Sequence, residues 1–210
     1  MIDPVLCISR KAILKDIGIV NQPQGNYAYS FDISNVPDKD FHFLDRSLAD
    51  SQNPEDHAVA QHIPQVLPYV LVTCGDEVLT YSRAKGAESR LHGKLSCGFG
   101  GHVELSDINV NMLNVVAATM RELNEELRID DTKPMKLDET KIVLLDTTDN
   151  VGQVHMGYVY TLELSSKDMI DPDLSEIHLP EWKTYDQLAE EIKQYENWSQ
   201  TLIGLKLEAQ

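Results

Sequence analysis

The order of signals along the chain predicts an α/β or α+β layered domain: β-rich runs, one amphipathic helix, more β-rich runs and a helical tail. Leu67 to Thr73 is a β-rich run that ends at Gly75-Asp76, and Glu77 to Tyr81 resumes it, so a hairpin is expected. Lys94 to Phe99 reads as a short strand closed by Gly100-Gly101. Asn111 to Leu127 reads as a helix, because Leu113, Val116, Met120, Leu123 and Leu127 repeat at spacings of 3, 4, 3 and 4. Lys141 to Thr147 and Val154 to Leu164 are two further strands. Asp186 to Leu207 is broadly helical, with a break near Asn197.

Residues 1–65 have a different character and are expected to form an extension packed on a main domain of residues 66–210. They hold the apolar run Val5 to Ile8, a turn-rich stretch near Asn21 to Asn26, and a mixed stretch, Phe41 to Leu48, expected to be a short helix. The polar run Asp50 to Asp56 is expected to be a loop.

Composition sets outer bounds. Hydrophobic residues make up 42% of the 210 and charged residues 25%, which suits a globular chain with a self-sufficient core. The three cysteines, Cys7, Cys74 and Cys97, are too scattered for a zinc or redox pair and fit a reducing compartment. With no signal peptide or membrane span in evidence, a cytoplasmic location is expected. The formal net charge of −16 argues against nucleic acid and anionic membrane as partners. A homodimer is compatible with the sequence.

The chemistry concentrates in the central helix. Opposite its apolar stripe stand Glu122, Glu125 and Glu126, within an arc of roughly 100°. Like charges at these spacings repel, and the end of a helix is unfavourable for anions. A hard divalent cation, Mg²⁺ or Mn²⁺, would offset both costs. Arg121, four residues before Glu125, is placed to brace it. Taken alone, the triplet also reads as a solvated acidic face.

The surrounding residues sharpen the choice. Gly101-His102-Val103-Glu104 followed by Arg121-Glu122-Leu123-Asn124-Glu125-Glu126-Leu127-Arg128-Ile129 resembles the Nudix box. Its Arg-Glu-aliphatic-x-Glu-Glu core is matched in full, and the double glycine resembles its opening. There are three departures: Asp107 stands where the box has Glu, the spacing from Asp107 to Arg121 is six residues longer, and Arg128 replaces the late Gly. Leu67 to Val70, Glu88 to Ser96, Gly98 to His102 and Asp149 to Gly157 are similar to a MutT-type subgroup of phosphoesterases, over roughly residues 66–165. The resemblance implies a Nudix α/β/α sandwich with a mixed sheet. It also implies metal-dependent hydrolysis, in which water attacks a phosphorus of a nucleoside diphosphate derivative or a similar small phosphorylated compound.

Carried over by position, Glu122, Glu125 and Glu126 become metal ligands, with a backbone carbonyl at Gly100 or Gly101. Arg121 becomes the brace. Glu122 is the first choice for the general base, with Asp149 and His155 as further candidates on the loop and strand after the helix.

Arg83, Lys85, Arg90 and Lys94 form a basic, glycine-punctuated island, with His92 among them. Arg83, Lys85, Arg90, His92 and His102 are the candidates for holding substrate phosphate, against the alternative of a solvated loop. Two other readings compete with a hydrolase. One is a non-catalytic Nudix-like nucleotide-binding module. The other is an isomerase of the isopentenyl diphosphate type, which Cys97 fits poorly because it precedes Gly98-Phe99-Gly100 rather than a Gly-His pair. Trp182 and Trp198 are expected to be packing residues.

Overall fold

A computed structural model describes residues 4–49, 53–83, 93–107 and 115–209. Two compact units share the chain. The first comprises Met1–Pro68, Gly101–Thr119 and Lys141–Val159; the second comprises Tyr69–Gly100, Met120–Thr140 and Tyr160–Gln210. Strands and helices mix in both, as the α+β class requires. Among the described residues, no helix is long and apolar enough to cross a membrane.

In the first unit, β1 (Val5–Ile8) is buried along its whole length. It pairs antiparallel with β3 (Phe41–Leu44), from Val5↔Leu44 to Ile8↔Phe41, and Cys7 meets Gln65 at the start of β4 (Gln65–Cys74). Phe41 to Leu44 was expected to be helical. The fully apolar β1 needs a hydrogen-bonded neighbour, and that demand overrides a weak local preference. Only Arg46–Ala49 is helical in that stretch, as α2, and α1 (Arg10–Asp16) precedes it. The expected loop also ends early. Asn53 accepts from Glu55 N at 3.0 Å and Pro54 opens α3 (Pro54–Ala60), a polar cap followed by proline at the first helical position.

β2 (Asn26–Ser30) pairs antiparallel with the end of β8 (Met135–Asp146), from Asn26↔Asp146 to Ser30↔Ile142. A 3₁₀ turn at Gly152–Val154 leads into β9 (His155–Leu164). Leu6, Ile8, Ile13, Phe31 and Leu144 are fully buried here, and Phe31 meets Tyr158 edge-on at 6.0 Å.

In the second unit, β4 turns through Gly75-Asp76 into β5 (Glu77–Ser82), with Cys74↔Glu77 as the closing pair. Gly75 has φ +60°, which suits the first central position of a type II′ hairpin turn. The expected strand at Lys94 to Phe99 is two short pieces. β6 (Leu95–Ser96) pairs with β5, and β7 (Gly98–Phe99) pairs with β4. The chain therefore steps from one neighbour to the next at Cys97. β10 (His178–Thr184), absent from the sequence reading, pairs antiparallel with β5 and carries a bulge between His178 and Glu181.

The helical tail breaks as expected. α5 (Tyr185–Glu190) opens with a capping box of Thr184 and Gln187, and α6 (Asn197–Glu208) follows a short 3₁₀ turn. Trp198 packs edge-on to Tyr69 at 5.5 Å, and Lys167 lies over Trp182 at 5.6 Å.

Candidate active site

The helix of the box is α4 (Val115–Leu127). Leu113 lies outside the described residues. The apolar stripe is rotated from the one expected: Val115, Ala118, Thr119, Leu123 and Leu127 are buried, whereas Val116 is 48% exposed. The rotation matters because Glu122 and Glu126 border Leu123 and Leu127 on the wheel. Both are therefore half-buried, while Glu125 stays exposed. Packing thus gives three adjacent carboxylates two different environments.

Arg121 and Gly100 hold these carboxylates. Arg121 Nη1 donates to Glu122 Oε1 at 2.8 Å and to Glu125 Oε2 at 3.4 Å. The backbone N–H of Gly100 donates to Glu126 Oε2 at 3.1 Å. Gly100 has φ +127°, a conformation that side chains rarely allow, so glycine is required for that amide to point at the carboxylate. Burial pushes the Glu126 carboxyl up to about 8; the Gly100 N–H resists, the charge on Glu122 adds to the rise, and Arg83 opposes it.

Among the described residues, no group of three or more His, Cys, Asp or Glu side chains converges on a common point as a metal cage would. The donor chemistry nevertheless suits a hard cation. Glu122 and Glu126 carry hard carboxylate donors about 40° apart on the helix, and the burial that lifts Glu126 is the cost that an adjacent positive charge would remove.

The second unit also holds a buried polar network that the sequence did not reveal. Glu196, buried at the start of α6, accepts from Trp198 N at 2.8 Å, Ser199 N at 3.0 Å, Ser199 Oγ at 2.6 Å and the Tyr69 hydroxyl. Ser199 Oγ in turn accepts from Cys97 N at 3.0 Å. The one sequence signal was an acid directly before an apolar helical run, and glutamate is not a preferred cap there. Gly98 lies under the Tyr69 ring, and its carbonyl accepts from the Tyr81 hydroxyl at 3.1 Å. Cys97 is sealed in, and burial raises its thiol to about 12, which removes the nucleophile that an isomerase reading needs.

The remaining candidates fall elsewhere. Arg83, at the end of β5, belongs to the same unit as the glutamates. Burial works against its charge, but the fields of Tyr81, Glu196, Tyr69 and Glu126 outweigh burial and hold the guanidinium protonated. Lys85, Arg90 and His92 lie outside the described residues.

Gly101, His102, Asp149 and His155 belong to the first unit. There Asp149 Oδ1 accepts from Val151 N at 2.9 Å and Gly152 N at 2.8 Å, closing a turn. His155 Nδ1 lies 2.8 Å from Val151 O, which can only accept, so Nδ1 carries the proton and Nε2 faces Gln65 Nε2 at 3.0 Å. The His102 and His155 rings lie 6.1 Å apart. Asp107 Oδ2 accepts from Glu104 N at 2.8 Å.

The helix exit explains one departure from the box. Arg128 has φ +45°, the left-handed conformation usual for glycine just after a helix. It is tethered to Asp173 at 2.7 Å and Asp171 at 3.5 Å. Relief of the left-handed strain is worth about 1–2 kcal/mol, and exposed ion pairs about 0.2–1 kcal/mol. Arg128→Gly should therefore raise stability slightly, by less than about 1 kcal/mol. A clear fall in the denaturation midpoint would show that the aspartate tethers dominate.

No family model matches the chain. Protein YmaB of Bacillus subtilis (strain 168) is 35% identical to it over 149 residues, covering 67% of this chain and 70% of that protein. The crystal structure of Tm1382, a protein classed with the Nudix hydrolases, covers 99% of this chain and 100% of its own, with a TM-score of 0.69 and 22% identity. A NUDIX-family hydrolase from Clostridium perfringens is a weaker likeness, at a TM-score of 0.46 and 17% identity over 69% of this chain and 96% of its own. The chain thus belongs to the family of the Bacillus subtilis protein YmaB, and its fold is that of the Nudix superfamily.

Proposed function

We propose that this protein is a metal-dependent hydrolase that cleaves a diphosphate linkage in a nucleoside diphosphate derivative or a similar small phosphorylated compound. The observation that carries the reading is the held triplet on a Nudix fold: Glu122 and Glu125 joined through Arg121, and Glu126 fixed by the Gly100 amide. Glu122, Glu125 and Glu126 would hold Mg²⁺ or Mn²⁺. When bound, such an ion lowers the pKa of water and neutralises charge on the diphosphate oxygens.

The chain's own residues do the rest. Arg121 orients two carboxylates at once, so neither swings freely into solvent. The backbone N–H of Gly100 fixes Glu126. Glu122, half-buried and hydrogen-bonded, is the proposed acceptor of the proton from attacking water. The acidic triplet repels an anionic substrate until a cation is present, so substrate binding and metal binding are coupled.

The test is a panel of nucleoside diphosphate derivatives with and without Mg²⁺ or Mn²⁺, with released phosphate measured before and after an added phosphatase. Turnover that needs metal and is lost in Glu122→Gln supports the hydrolase. Metal-dependent ligand stabilisation with no turnover on any compound would favour the nucleotide-binding module instead.

A further inference from the structure

Arg83 is pinned at the end of β5, where its N–H donates to Lys94 O at 2.9 Å and its carbonyl accepts from Gly93 N at 3.1 Å. Its guanidinium carbon lies 5.6 Å from the Tyr81 ring centroid. Tyr81 is itself fixed, with its ring 4.8 Å from Phe99 and its hydroxyl on Gly98 O. The seat is therefore rigid.

The Nε of Arg83 is buried and has no hydrogen-bond partner among the described residues. A buried donor of a charged group is costly to leave without an acceptor. Glu126 and Glu196 supply a favourable field, but no ion pair between them and Arg83 is seen among the described residues. A counter-charge alone would be served as well by lysine. A planar fork held on an aromatic ring, with a free donor, is suited to an oxygen pair on a tetrahedral anion.

We propose that Arg83 is a substrate-contact residue that donates from its guanidinium to a phosphoryl oxygen of the diphosphate, using the Tyr81 ring as its seat. This rests on the hydrolase reading, and it deepens that reading by assigning the phosphate clamp to one residue. The field of Glu126 and Glu196 opposes an anion there, so the clamp engages only once a cation occupies the carboxylates.

The experiment is calorimetry on the full chain, first with Mn²⁺ alone and then with imidodiphosphate, a non-hydrolysable diphosphate, at saturating Mn²⁺. Arg83→Lys and Arg83→Met should keep Mn²⁺ affinity within about threefold and weaken imidodiphosphate by about tenfold or more, as loss of a charge-assisted bond implies. If Arg83→Lys binds imidodiphosphate as tightly as the wild type, Arg83 is only a counter-charge and the proposal fails, with the hydrolase reading intact. If the wild type binds no Mn²⁺, the hydrolase reading fails and this one falls with it. Should Arg83→Met prove misfolded by circular dichroism, the lysine variant decides alone.

Discussion

Gly98→Ala is expected to cost about 3 kcal/mol or more, a large share of the stability of a domain of this size. A methyl group built at this position would lie 1.9 Å from Cζ of Tyr69 and 2.2 and 2.3 Å from its two Cε atoms. Three attachments prevent Tyr69 from yielding. Its hydroxyl bonds to Glu196 and lies 2.7 Å from Ser199 Oγ, and its ring abuts Trp198. Retreat of the ring would break a buried network that also caps α6, and a buried carboxylate that loses its donors is costly. Overpacking of this kind costs about 1–3 kcal/mol, and the lost hydrogen bonds add to it, against a total stability of about 5–15 kcal/mol. Urea unfolding checks it: the midpoint should fall sharply at nearly constant slope. A midpoint within error of the wild type would mean that the glycine is not sterically required.

Glu126→Gln should move activity and stability in opposite directions. Turnover is expected to fall about a thousandfold, which corresponds to roughly 4 kcal/mol in the barrier, because one charged ligand of the proposed cation is lost. Stability of the chelated protein should rise at neutral pH. The sign follows from an acid whose folded value is raised: its carboxyl goes from 4.5 to about 8 on folding. Below 4.5 it is protonated in both states and costs nothing; as pH climbs from 4.5 to 8 the unfolded state releases its proton first, and stability drains away. The accumulated penalty is on the order of a few kcal/mol. In EDTA, therefore, the wild type should weaken across that window, while Glu126→Gln should hold nearly level. Parallel curves for the two proteins would show that Glu126 is not the group responsible. On the proposed reading, keeping this carboxylate gives up stability for function, a common trade at active sites.

The cluster proposed to hold a cation could be picked out because it lies in one contiguous segment, where the spacing of Arg121, Glu122, Glu125 and Glu126 on a helix is fixed by geometry. The orientation of that helix could not, because Val115 and Val116 are equally apolar and only tertiary packing decides between them. The network of Tyr69, Gly98 and Glu196 was invisible for a different reason: Tyr69 and Glu196 are 127 residues apart, and nothing local to either announces the other. Strands with a continuous apolar run, such as the end of β8, could be read; the first part of β8 is half-exposed and could not. β10 escaped because Pro180, Glu181 and a bulge interrupt its pattern. In Phe41 to Leu44 the deciding partner, β1, lay more than thirty residues upstream.

At the position where the Nudix signature has its last glycine, Arg128 takes up the left-handed torsion that glycine adopts most readily. A signature spelled in letters excludes such a chain, although the same signature spelled in backbone angles admits it. A residue able to hold φ near +45° at this point, with acids near positions 171 and 173 to steady it, would end the helix in the same way.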